Sequence, residues 1–219
     1  MSELLKNNTI DDKNFKLDVR ARIDSRLLYI SKFIGNEPGS RILDLGCRNG
    51  ELQKYLKKNL EYYGVDLVEE YKTYIKNYFI FDITNTKYPF KNDFFDYIYI
   101  GEVLEHVSNF FHVFEEAHRI LKFGGKLIIT VPNNFHIIQA ISVINKNRYL
   151  KRRLDIDIAK SMGTHIHSLS EVDILKIAQM IGMTPVYCDR FFNIFKTYKL
   201  PEFTVFKPFA KFILYIMSK

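Results

Sequence analysis

Tryptophan is missing from this 219-residue chain, and cysteine occurs only twice, at Cys47 and Cys188. Two isolated cysteines build no disulfide framework and no CxxC motif, which suits a reducing compartment. No apolar run is long enough to span a bilayer. The opening residues, MSELLKNNTIDDKNF, are polar and carry no apolar signal region. The expectation is a cytoplasmic chain with, at most, peripheral contact with a membrane. Internal repeats and low-complexity linkers are absent too. So is the G-x-G-x-x-G fingerprint of a dinucleotide site, which disfavours a dehydrogenase.

Hydrophobic residues make up 47 % of the chain, ample for a large core, and all the aromatics are Phe or Tyr. The length predicts one domain. Net charge is +7. A basic balance fits nucleic acid, an anionic membrane surface or acidic substrates, and equally a lysine-rich solvated surface.

The first forty residues read as helical, with Ile23, Leu27, Ile30 and Ile34 at helical spacing. GNEPGS (35–40) ends that helix. Strand candidates follow at 41–45, 61–65, 78–82, 95–100 and 126–131. Helical stretches near 49–59, 69–76 and 109–121 lie between them. Such alternation predicts a parallel sheet covered on both faces. Ser170 reads as the N-cap of a helix ending at Gly182. Residues 184–192 read as a sixth strand, and 212–217 as either a strand or an amphipathic helix, the strand being favoured because such a sheet commonly closes with one antiparallel strand.

ILDLGCRNG (42–50) is an apolar strand breaking into a Gly46-x-x-x-Gly50 turn. In an open α/β sheet, ligands bind beyond the carboxyl ends of the strands. Asp44 and Gly46 fall there. Asp66 ends the second strand and Asp82 the third. Asp66 can accept both hydroxyl hydrogens of a ribose, and Asp82 can accept from an exocyclic amine such as that of adenine. Three acids at one sheet edge suggest a nucleoside lying across it.

The blocks ILDLGCRNGEL, YYGVDLVEE, FIFDITN, FFDYIYIGEVLEHV and RILKFGGKLIITVPN resemble class I S-adenosylmethionine-dependent methyltransferases in order and spacing. HIHSLSEVDILKIAQMIGMTPV (165–186) is similar to that family's following helix and strand. The resemblance implies a Rossmann-like α/β fold, a seven-stranded, mostly parallel sheet with helices on both faces and a terminal β-hairpin. Within a single domain it implies an N-terminal helical segment (1–38), a cofactor-binding half (39–132), a substrate-capping insertion (133–169) and a C-terminal helix with strands (170–219). It implies S-adenosyl-L-methionine as cofactor. Asp44 and Gly46 would lie near the methionyl amino group and Arg22 near its carboxylate. Asp66 would hold the ribose, and Asp82 with the backbone of Ile83 would read the adenine. Cys47, Gly50, Leu67 and Gly101 would line the same site. Arg48 stands where the family has glycine. It is expected to be tolerated, with negative φ and a side chain that leaves the pocket or meets the substrate.

A methyl sulfonium is already reactive, so transfer needs an aligned nucleophile in a dry site. A hydroxyl acceptor also needs a base or a metal to take its proton. On a helix, Glu102, Glu105 and His106 of EVLEHV share one face. They are competent ligands for a divalent ion such as Mg2+, with His165 or His167 completing the set. His106 alone could instead be the general base. The basic stretch NKNRYLKRRLDI (145–156) could meet an anionic substrate, a lipid headgroup or RNA phosphates. The Phe-rich FTVFKPFAKF (203–212) could face a membrane or be buried. The expected function is methylation, on oxygen, of a small molecule or a lipid or glycan precursor. The rivals are an RNA 2′-O-methyltransferase using the E-x-x-E-H metal site, and a non-catalytic binding protein on the same fold.

Overall fold

Ile42, Leu43 and Leu45 are all fully buried, although successive side chains of a strand point to opposite faces. A strand apolar on both faces belongs in the middle of a sheet covered on both sides. The computed structural model, which describes residues 26–132, 171–191 and 212–219, puts it there. Seven strands form one sheet: β1 (Arg41–Leu45), β2 (Glu61–Asp66), β3 (Asn77–Ile80), β4 (Phe95–Gly101), β5 (Leu121–Pro132), β6 (Thr184–Phe191) and β7 (Phe212–Ser218). Their order is β3-β2-β1-β4-β5-β7-β6. The first five pair in parallel. β7 runs antiparallel between β5 and β6, as expected for 212–217. The chain winds one way from β1 to β3 and the other way from β4. The switch point for a ligand therefore lies beyond the carboxyl ends of β1 and β4.

The register sorts the core into two faces. On one, Leu43 and Leu45 lie beside Ile98, Val65 and Ile100. Helix α2 (Phe110–Ile120) covers them with Val113, Phe114, Ala117 and Ile120, and helix α3 (Glu171–Met180) adds Ile174, Ile177 and Ala178. Asn109 caps α2, its side chain accepting from the His112 amide. Gly182, at φ 80°, turns the chain out of α3, and the Met183 amide closes onto Ala178 O at 2.8 Å. On the other face Ile42, Tyr62, Tyr97 and Tyr99 pack under Leu27, Ile30 and Ile34. Those three come from the N-terminal helical segment, described from residue 26 as helix α1 (26–30) and a 3-10 turn, Ser31–Phe33.

Two expected helices are shorter. The stretches at 49–59 and 69–76 hold 3-10 turns, Glu51–Tyr55 and Glu69–Tyr74. Left-handed Gly50 and extended Leu56 bound the first, and extended Val68 and Ile75 the second, so neither has room to propagate as an α-helix. Ile23, Ser170, the basic insertion 133–169 and the Phe-rich stretch up to residue 211 lie outside the described residues. Among the described residues, no helix is long and apolar enough to cross a membrane.

Candidate active site

The turn after β1 is built on two left-handed glycines, Gly46 at φ 76° and Gly50 at φ 74°. Only glycine takes this conformation without penalty. A Cβ on Gly46 would also drive into the side chain of Val103. The Gly46 and Cys47 amides both donate to Val65 O, at 2.8 and 3.0 Å. The loop is thereby fastened to the end of β2. Cys47 is buried, and burial pushes its thiol well up, so it packs rather than reacts.

Arg48 corrects an expectation. Its φ is 50°, not negative. The residue takes the conformation a glycine would take, and its strain is the consequence of keeping the loop's shape. The Arg48 amide donates to Asp66 Oδ2 at 2.8 Å, and the Leu67 amide to Asp66 Oδ1 at 2.8 Å. Asp66 therefore joins the glycine loop to the turn after β2. Its side chain is exposed enough to retain acceptor lone pairs for a ligand. Leu67 is 67 % exposed, an apolar surface left open beside that acid.

Asp82 lies two residues beyond β3, exposed, with Oδ1 accepting the Thr84 amide at 2.8 Å. Ile83 O accepts the Tyr88 hydroxyl at 3.1 Å. Asp44 is different. It sits inside β1, opposite Gly64 and Tyr99, and is 4 % exposed. The Tyr62 hydroxyl donates to Asp44 Oδ2 at 2.6 Å. Burial raises its pKa to about 7, against the opposing pull of the Tyr62 hydrogen bond and the Arg26 charge. Asp44 thus backs the site from beneath, while Asp66 and Asp82 stand at its rim.

The EVLEHV stretch is not the helix expected. Glu102 has φ 57°, and only Leu104–His106 form a 3-10 turn. The Glu102 amide is fixed to Thr130 O at 2.9 Å. Gly101 ends β4 half-buried, with the Tyr99 hydroxyl filling the space a side chain there would need. Glu102 Oε1 lies 3.6 Å from Arg26 Nη1. Glu105 is 3 % exposed, and its Oε2 has no hydrogen-bond partner. His106 Nε2 stands 4.0 Å from Glu105 Oε1. Among the described residues, no three His, Cys, Asp or Glu side chains form a group able to hold a metal. Glu102, Glu105 and His106, read from the sequence as metal ligands on one helix face, lie instead on a left-handed residue and a 3-10 turn, so the helical spacing that would align them does not form. His165 and His167 lie outside the described residues. Burial raises both glutamates to about 7; the Arg26 charge opposes the rise in each, and the Glu105 charge adds to it at Glu102.

Arg26 is the residue the sequence reading missed. Arg22, the proposed carboxylate ligand, lies outside the described residues. Arg26 follows it by four positions on a segment read as helical, and i, i+4 spacing puts both on one face. That spacing was the available signal.

Strand order, glycine loop and rim acids together define a class I methyltransferase fold. Residues 15–187, well over half the chain, match the family described as "Methyltransferase domain". The chain belongs to that family, among the class I S-adenosylmethionine-dependent methyltransferases. It is 30 % identical over 138 residues to a sarcosine/dimethylglycine N-methyltransferase of Aphanothece halophytica, covering 57 % of this chain and 48 % of that one. It is 28 % identical over 119 residues to the mitochondrial ubiquinone biosynthesis O-methyltransferase of Mus musculus, covering 48 % of this chain and 32 % of that one. The chain thus spans less than half the length of these curated relatives. An S-adenosylmethionine-dependent methyltransferase from Mesorhizobium loti shares the fold, with a TM-score of 0.65 and 18 % identity over 91 % of this chain and 98 % of that one.

Proposed function

We propose that this chain transfers the methyl group of S-adenosyl-L-methionine to an oxygen of a small molecule or of a lipid or glycan precursor. The observation that carries the cofactor reading is the bridge through Asp66, which ties the glycine loop to the exposed Leu67 and keeps acceptor capacity toward the switch point. The side chains fit a zwitterionic nucleoside. Asp66 suits a ribose diol, Leu67 the face of a base, and Asp82 with Ile83 its edge. Arg26 suits a carboxylate, and Asp44 and Glu102 suit an ammonium. Gly46, Cys47, Gly50 and Gly101 are the backbone against which such a ligand lies. The cofactor supplies an activated methyl group; the protein supplies alignment and a dry site.

The oxygen reading rests on His106. It stands 4.0 Å from Glu105, whose charge, when ionised, stabilises the protonated ring. In this role His106 takes the acceptor's hydroxyl proton as the oxygen attacks. Recognition of the acceptor is assigned to the insertion 133–169. The site of action is cytoplasmic, with peripheral membrane contact where the precursor is a lipid.

The test is methyl transfer from labelled cofactor to matched hydroxyl and amine acceptors. Transfer to hydroxyls that falls about 10²–10⁴-fold in His106→Gln supports the reading. Transfer confined to amines, indifferent to His106, reassigns the acceptor atom. Cofactor binding without transfer to any acceptor makes the chain a binding protein.

A further inference from the structure

Helix α2 does more than cover the sheet. Asn109, His112, Glu116 and Arg119 recur at three- and four-residue spacing from its cap to its last turn, so they form one stripe. Each of the four reaches the segment that follows Asp82. Asn109 Nδ2 donates to Asn85 Oδ1 at 3.2 Å, and His112 Nε2 lies 3.0 Å from Thr86 O. Glu116 Oε2 accepts the Tyr88 amide at 2.7 Å. Arg119 donates to Tyr88 O at 3.0 Å, to Phe90 O at 2.9 Å and to Asn92 Oδ1 at 2.9 Å. The same guanidinium grips Glu116 through both carboxylate oxygens, at 2.8 and 2.7 Å. Such a planar fork fixes direction as well as distance.

Tyr88 is where this grip meets the rim of the site. Its backbone is held on both sides by the Glu116–Arg119 pair. Its ring is 2 % exposed and packs on Phe81 at a centroid distance of 5.1 Å. Its hydroxyl reaches back to Ile83 O at 3.1 Å. One rigid path therefore runs from α2 through Tyr88 to the Asp82–Ile83 corner. That corner belongs to no helix or strand. Phe81 and Ile83 pack on the core at either side of Asp82, and the Tyr88 hydroxyl fixes the direction of the corner's carbonyl.

We infer that Glu116, Arg119 and Tyr88 are positioning residues for nucleobase selection, holding the Asp82–Ile83 corner so that it distinguishes a 6-aminopurine from a 6-oxopurine. The inference rests on the reading that Asp82 and Ile83 face the base. An amino group at position 6 donates to the Asp82 carboxylate. An oxo group there sets acceptor against acceptor. The repulsion counts only while the corner is held in place, because a loose corner can turn away from the wrong base. Rejection of an analogue by a rigid polar site reaches about 10²-fold or more.

The experiment is calorimetric titration of the whole chain with S-adenosylhomocysteine and with S-inosylhomocysteine, which differ in the group at position 6 and in the proton the oxopurine carries at N1. Wild type, Asp82→Ala, Tyr88→Phe and Arg119→Lys are compared. Tyr88→Phe removes one oxygen and keeps the buried ring, so it stays folded even where Arg119→Lys does not. Wild type is expected to prefer the adenosyl ligand by about 30-fold or more. Tyr88→Phe or Arg119→Lys is expected to shrink that ratio at least about fivefold, chiefly by losing affinity for the adenosyl ligand. A ratio preserved in both variants, including a parallel loss for both ligands, overturns the inference. If Asp82→Ala still collapses the ratio in that case, the site reading survives. A wild type that does not discriminate, or binds neither ligand, removes the site reading and the inference with it.

Discussion

The amide of Arg48 donates to the carboxylate of Asp66 at 2.8 Å, across the gap between the turns that end β1 and β2. The bond forms because Arg48 stays at φ 50°. An arginine in a glycine's conformation keeps the loop shape at the cost of backbone strain, while its side chain remains exposed.

Arg48→Gly is therefore expected to stabilise the protein. Relief of the left-handed strain is worth about 1–2 kcal/mol, offset by about 0.5–1 kcal/mol of added unfolded-chain entropy. The net gain of about 0.5–1 kcal/mol corresponds to a rise in Tm of about 1–4 °C. Thermal unfolding followed by circular dichroism checks this. A lower Tm in the glycine variant shows that the arginine side chain has a role the strain argument omits.

Gly46→Ala is expected to do the reverse. The new methyl group meets both a φ of 76° and the Val103 side chain. A loss of about 2–4 kcal/mol follows from strain and overpacking together. Urea unfolding measures it, and unchanged stability would mean the loop is not held as described.

Stability should fall as pH rises from about 5 to about 8. Asp44, Glu102 and Glu105 are each raised to about 7 in the folded protein, well above their ordinary carboxylate range. Between those values the native state binds more protons than the unfolded chain, so raising the pH favours unfolding. Once all three are ionised the slope ends. Glu105→Gln should flatten the fall in Tm across this window, and an equally steep fall in that variant counts against the assignment.

Arg26→Gln extends the same argument. Arg26 holds down the pKa of Asp44, Glu102 and Glu105. Removing it leaves those carboxylates less compensated. The expected cost is about 1–3 kcal/mol at pH 8 and clearly less at pH 5, where the acids are neutral. Denaturant melts at the two pH values decide it; equal losses at both indicate a packing role instead.

Much of this architecture could be read from residues alone. The seven strands stand where expected, β5 beginning five residues early at Leu121, and the central ones were legible because they are apolar on both faces, as Ile42, Leu43 and Leu45 are in RILDL. Asp66 and Asp82 were legible because an acid directly after such a run has only the sheet edge to occupy. Glu102 was misplaced for the opposite reason. EVLEHV has helical spacing, but Glu102 is pinned to Thr130 O at φ 57°, a tertiary constraint that no local pattern reports. Arg48 was misjudged likewise, since the bond to Asp66 overrides its backbone preference. The 3-10 turns Glu51–Tyr55 and Glu69–Tyr74 were not legible because 3-10 and α-helical spacing read alike over five or six residues. Arg26 was legible only as the i, i+4 partner of Arg22, because a charge beside Leu27 and Ile30 carries no motif of its own.

The measurement that bears most directly on the account is calorimetric titration of S-adenosyl-L-methionine into wild type and Asp66→Ala. The account predicts binding in about the micromolar range, weakened about 10–100-fold in the variant by loss of charge-assisted hydrogen bonds to the ribose. A well-folded wild type that takes up no cofactor, or a variant that binds it as tightly, would contradict the assignment of this site.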